Sequence, residues 1–268
     1  DPTTGSEVLL VACMHFNPRS VEVAASVTRR LAREGSLGAV VLETCPSRWR
    51  RVKSVQPPGS PMRALLDNEM QAAAEEAEAA GRTVVLGDQR VEELGEEVRS
   101  RATAALSDLA SPLDGGWQRT VQEITQGVAQ ITDVGQRRRE EGREGGEDSL
   151  GVQDFLDLEF ALGVPVAVVR YVVSTALKAP GLAAAVGAYF AVVAVLPDSP
   201  MSDVIGLVLD VLTLRVFLGA VLRDRDEILA RSIRSTCESS GGPGRTVVAV
   251  LGAAHCNGVR RCILDGRA

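Results

Sequence analysis

Histidine occurs twice in this sequence, as His15 and His255, and each closes a short apolar run, LLVACMH and VAVLGAAH. Two carboxylates stand in the same kind of place: Glu43 ends AVVLE, and Asp88 follows TVVLG. Imidazole nitrogens are neutral metal ligands, and a carboxylate can add ligand charge or take a proton from a bound water. Two histidines and one carboxylate suit a divalent transition metal. We therefore read His15, His255, Glu43 and Asp88 as candidate metal ligands, with Glu43 alternatively the base and Asp88 alternatively an orienting residue. Ligating imidazoles must be neutral, so binding is expected to weaken below about pH 6.5. Arg48, Arg90 and Arg225 are candidates for binding a carboxylate or polarising a carbonyl. Each residue also has a plainer explanation: a histidine after a strand can satisfy a buried carbonyl, and Glu43 can pair with Arg48 or Arg90.

Cys13, Cys45 and Cys256 lie within two residues of His15, Glu43 and His255. As soft ligands they would favour zinc, and a Cys–His nucleophile is the alternative. Small buried cysteines near strand ends are also common. The five cysteines form no CxxC pair and read as reduced thiols, which points to a reducing compartment. There is no G-x-S-x-G elbow, P-loop or G-x-G-x-x-G. The net charge is -6, and the one dense basic run, Arg137 to Arg139, leads straight into acidic residues. That pattern is not a phosphate-binding stripe, and nucleic acid is not an expected partner. No signal or transit pattern is visible, and the destination stays open.

The elements that must position these residues are legible. Glu7–Cys13, Ala39–Leu42, Thr83–Leu86 and Thr246–Leu251 are apolar runs that predict buried strands. Helices are expected over Pro18–Arg33, Ala64–Ala80, Val91–Leu109 and Arg223–Ser235, with a loop from Lys53 to Pro61. This alternation predicts one α/β domain over residues 1–268, with a mainly parallel sheet and crossover helices. In such a sheet ligands gather outside the carboxyl ends of the strands. His15, Glu43, Asp88 and His255 should therefore share one rim.

Two stretches depart from the alternation. Residues 136–149, QRRREEGREGGEDS, are charged and glycine-rich and predict a mobile insertion. Residues 152–235 form a helical subregion, an apolar insertion before the last strand, punctuated by Pro165, Pro180, Pro197 and Pro200. Gly181 to Leu196 carries no charge, but sixteen residues fall short of the about twenty that a spanning helix needs. We expect these helices to pack in the protein, as a homodimer surface or a membrane-facing hairpin, rather than to cross a membrane.

The motifs around these residues resemble the TraB/PrgY/GumN family, which includes the TIKI proteins. Ala12-Cys13-Met14-His15 and Gly252-Ala253-Ala254-His255 resemble its paired G-x-x-H motifs. Between them, in order, Glu43-Thr44-Cys45 with Arg48, Glu69-Met70-Gln71-Ala72, Leu86-Gly87-Asp88 and Asp224-Arg225-Asp226 resemble its other landmarks. Ala12 stands where the first motif has Gly, Gln89 where an Arg follows Asp88, and Leu94 where a Thr is expected. The resemblance implies an α/β fold shared with erythromycin-esterase and ChaN-like proteins. For TIKI relatives it implies peptide hydrolysis dependent on manganese, cobalt or zinc, using the histidines and a glutamate. It also leaves open a non-catalytic peptide-binding or regulatory module, a heme- or metal-binding protein of the ChaN kind, and a membrane-associated or organellar setting.

Overall fold

The computed structural model describes residues 1, 3–111, 114–132, 157–178, 180–195 and 199–266. The charged stretch 136–149 lies outside them. The first half alternates strand and helix: β1 (Glu7–Cys13), α1 (Pro18–Glu34), β2 (Leu37–Leu42), α2 (Pro46–Val55), α3 (Pro61–Leu65), α4 (Glu69–Ala79) and β3 (Thr83–Leu86). Two helices follow, α5 (Val91–Ala110) and α6 (Gly116–Thr132). Then come α7 (Leu158–Lys178), α8 (Pro180–Val195) and α9 (Pro200–Val216), and a π-helical stretch (Phe217–Arg223) that leads into α10 (Asp224–Ser240). The chain ends on β4 (Thr246–Gly252) and α11 (Ala253–Leu264). The α/β reading and the apolar helices before the last strand are as expected.

The four strands form a parallel sheet in the order β1-β4-β2-β3. The last strand is thus inserted between the first two, and Gly252 sits level with Cys13. Side chains on a strand alternate between faces, so β2 and β4 build two cores at once. Leu37, Val40, Leu42, Val248 and Val250 pack on α1, α2 and α4 through Ala24, Leu31, Trp49, Ala73 and Ala77. Val41, Val247, Ala249 and Leu251 pack on α10 and α11 through Leu229, Ile233, Cys237, Val259 and Ile263. Burial on both faces explains why β2 and β4 read as unbroken apolar runs.

Two expectations need correction. The helix expected over Ala64–Ala80 is two helices, because the Asn68 side chain accepts from Gln71 N–H and starts α4 afresh. The loop expected from Lys53 starts later, because a helix, α2, entered through Pro46 at its first turn, runs on to Val55. Helix α7 docks one stripe on the domain and leaves Leu162, Val166, Val169, Val172, Val173 and Leu177 exposed on the others.

Candidate functional site

The strand order sets the site. Along the carboxyl rim the strand ends deliver, in sequence, His15 after β1, His255 after β4, Glu43 after β2 and Asp88 after β3. His15, His255 and Glu43 become neighbours because β4, the last strand, lies between β1 and β2.

Glu43 is buried in the middle. Its Oε1 accepts from the Arg225 guanidinium at 2.6 Å and lies 3.3 Å from His255 Nε2. Its Oε2 accepts from Gly252 N–H at 2.5 Å. A Cβ on Gly252 would lie 3.2 Å from that oxygen and 3.3 Å from His15 Nε2. Glycine is therefore what lets strand β4 turn closely past both residues. Burial pushes the Glu43 carboxyl up, but His255, His15, Arg225 and the Gly252 N–H outweigh it and hold it below the usual carboxylate range.

Each histidine is backed by its own buried carboxylate. His15 Nδ1 lies 2.5 Å from Glu69 Oε1, and Glu69 Oε2 accepts from Phe16 N–H at 3.1 Å. His255 Nδ1 lies 2.6 Å from Asp226 Oδ1. A carboxylate on Nδ1 fixes the ring and leaves Nε2 for other work. Burial opposes the charge on His15, but Glu69, with help from Glu43, raises its pKa to about 9. In the metal-free protein His15 thus keeps its proton at neutral pH. The expected onset of weaker metal binding, near pH 6.5, moves upward accordingly.

Asp88 is placed as an ion-pair partner. Arg225 donates to its two oxygens, at 3.0 and 2.5 Å, and Arg48 donates to one of them. Burial raises its carboxyl, and the two guanidinium groups more than reverse that. Arg48 therefore pairs with Asp88, and Arg225 with both Glu43 and Asp88, whereas Arg90 only precedes α5. Neither Arg48 nor Arg90 is the partner of Glu43.

The thiols are quieter. Cys13 Sγ donates to Val11 O, Cys256 Sγ to Gly252 O, and burial raises both thiols. Burial likewise raises the Cys45 thiol, but Ser47 and Arg48 beside it bring it below its usual value. All five cysteines are free. Among the described residues, no group of three or more His, Cys, Asp or Glu is disposed to hold a metal ion.

Glu69 and Asp226 are the histidine partners that spacing alone does not single out. Each sits in the first turn of its helix. An acidic residue there is already explained by the helix dipole. Only their membership in the E-M-Q-A and D-R-D segments marked them. The π-helical stretch ends just before Asp224-Arg225-Asp226, and such wide turns recur at functional sites. His15 itself is about one-third exposed, so the site meets solvent there, whereas Glu43, Arg225 and His255 are enclosed.

Comparison of the chain with protein-family models, with curated proteins and with solved structures finds no match.

Proposed function

We propose that this chain is a hydrolase of the TraB/PrgY/GumN kind, acting on a peptide or amide bond at the His15–Glu43–His255 rim. One observation carries the reading. Residues from every segment of the resemblance converge on one rim: Arg48, Asp88, Arg225, Glu43, His255 and Asp226 form one bonded network, and the His15–Glu69 pair stands beside it across Gly252.

The fit to a metal is uneven. The two Nε2 atoms, backed by carboxylates, suit a manganese, cobalt or zinc ion. Glu43 can be a third donor, since each of its oxygens accepts one bond, whereas each Asp88 oxygen already accepts two. When bound, such an ion would supply a Lewis acid and acidify a water toward about pH 7. The chain's own residues account for the rest. Glu43, ionised at neutral pH, receives the proton of the attacking water and returns it to the leaving nitrogen. Arg225 balances the Glu43 charge through that exchange. Glu69 and Asp226 hold the two rings in place. The test is metal content by mass spectrometry, together with cleavage of a short-peptide library, in wild type and His255→Ala. Metal uptake and cleavage that both vanish in the variant support the reading. No uptake and no cleavage in the wild type at neutral pH end it.

A second reading rests on a separate observation: every oxygen of Glu43 and Asp88 is already bonded within the protein. A network closed in this way suits a non-catalytic module that binds a peptide. Peptide retention without cleavage, unchanged by added metal, would favour it.

A further inference from the structure

Helix α7 has two faces of opposite character. Gly163, Ala167 and Ser174 are buried, with Phe160, Arg170 and Lys178 half-buried on the same stripe. This stripe is docked on the turn that carries His15. Asn17 Nδ2 donates to Phe160 O at 3.0 Å, Arg170 to Phe16 O at 3.4 Å, and Tyr171 meets the Phe16 ring edge-on at 6.2 Å. Lys178 Nζ lies 5.4 Å from the centre of the same ring. Phe16 is held at φ 65°, a backbone conformation that non-glycine residues seldom adopt. The opposite stripe is apolar and bare, with Leu162 69%, Val169 63% and Val172 61% exposed.

Helix α8 follows after one residue and touches α7 more than any other element. From Gly181 to Val195 it has no charged residue on any side, and Phe190 and Val195 are 64% and 81% exposed. A second copy of the chain would cover one side of such a helix. Hydrocarbon covers all of them.

We propose that α7 and α8 lie in the surface of a lipid bilayer, with α7 parallel to the membrane plane. A crossing is disfavoured by the docked stripe, because a spanning α7 would drag Arg170, Ser174 and Lys178 off the domain and into hydrocarbon. At sixteen residues, α8 is about 24 Å long, short of the about 30 Å hydrocarbon core. The polar face that an interfacial helix needs is here the protein itself. The charge balance selects the lipid. The chain is net -6, and the one arginine beside the start of α7, Arg19, is answered by Asp157 and Glu159, so the surface is zwitterionic rather than anionic. With α7 docked beside His15, the lipid surface lies about one helix diameter, roughly 10 Å, from the open end of the rim.

The test is flotation of the purified chain with phosphatidylcholine vesicles. Wild type should float. Val169→Glu/Val172→Glu, both at exposed positions, should reduce the floated fraction at least tenfold with an unchanged circular dichroism melt. Phosphatidylserine in the vesicles should weaken flotation. A fluorophore on Leu162→Cys should be quenched most by lipids brominated near the headgroup. Four results overturn the proposal: no flotation, a requirement for anionic lipid, deepest quenching at the bilayer centre, or a lipid-free dimer that the same double substitution dissolves.

Discussion

His255 and Asp226 stand 29 positions apart, yet Nδ1 of the imidazole lies 2.6 Å from the Asp226 carboxylate, both of them buried. The contact joins the first turn of α10 to the first turn of α11 across the end of β4. It fixes which nitrogen of His255 faces Glu43. Asp226→Asn keeps the shape but removes the charge and permits the wrong tautomer. Cleavage, or metal affinity, is expected to fall about 10- to 100-fold. An Asp226→Asn protein as active as wild type would show that the contact is only packing.

His15 carries a pH signature. Its folded pKa, about 9, lies above the 6.5 of the unfolded chain, because Glu69 outweighs the cost of burial. Below pH 6.5 both states hold the proton and the stabilisation is complete. It declines from pH 6.5 upward and is gone above about pH 9. The loss should be on the order of 1–2 kcal/mol, allowing for the partial exposure of the ring. Denaturant titrations of the chelator-treated protein at pH 6, 7.5 and 9 measure it, with Glu69→Gln expected to flatten the trend. A wild type equally stable at all three pH values would refute the assignment.

Much of this geometry was legible beforehand, for a physical reason. Strands β2 and β4, buried on both faces, must be apolar throughout, and the edge strands β1 and β3 are apolar too, so the limits of β1 and β3 stand in the residues and those of β2 and β4 nearly do. The polar residue that follows such a run stands out, as His15, Glu43, Asp88 and His255 do. The pairing inside the site was not legible. Choosing Arg225 rather than Arg48 for Glu43 depends on the side of β2 that α10 covers, which alternation along one strand cannot decide. The break at Asn68 was hidden by the helix-favouring alanines after it, since capping is a matter of one side chain and one N–H. The exposure of α7 was hidden too. Its composition is that of a core helix, and only the docked stripe tells the two faces apart.

Gly252 tests the closeness of the rim. An added methyl would lie 3.2 Å from Glu43 Oε2 and 3.3 Å from His15 Nε2. Both are tight, and neither neighbour can move far, because Glu69 holds one and Arg225 the other. Gly252→Ala should cost about 1–3 kcal/mol of stability, as overpacking does. It should lower cleavage more than tenfold, since displacements of about 1 Å at reacting groups carry penalties up to about 100-fold. Chemical denaturation and the peptide assay read the two effects separately. Undiminished cleavage would place the chemistry away from this rim.

Arg225 separates an ionic network from a merely polar one. It is the cation that both Glu43 and Asp88 touch, and all three side chains are buried. In wild type the two carboxyls titrate below their usual values, so their contribution to stability is present above about pH 4 and is lost as the pH falls through the folded pKa. Arg225→Met removes the charge and keeps much of the volume. Glu43 is then a buried carboxylate with no guanidinium, while Asp88 keeps only Arg48. Breaking a buried pair from one side costs about 3–5 kcal/mol, most of it from the charge left behind. His255, His15 and the Gly252 N–H still favour the Glu43 charge, but its folded pKa rises relative to wild type, so the deficit should be larger at pH 8 than at pH 5, where Glu43 is closer to protonation. Adding Glu43→Gln to Arg225→Met should restore part of the loss at pH 8 and little at pH 5. Urea unfolding of the two variants at both pH values is the measurement. A deficit under about 1 kcal/mol at pH 8, or one independent of pH, would mean that water already reaches Glu43 and that the network is not the closed, buried one described above.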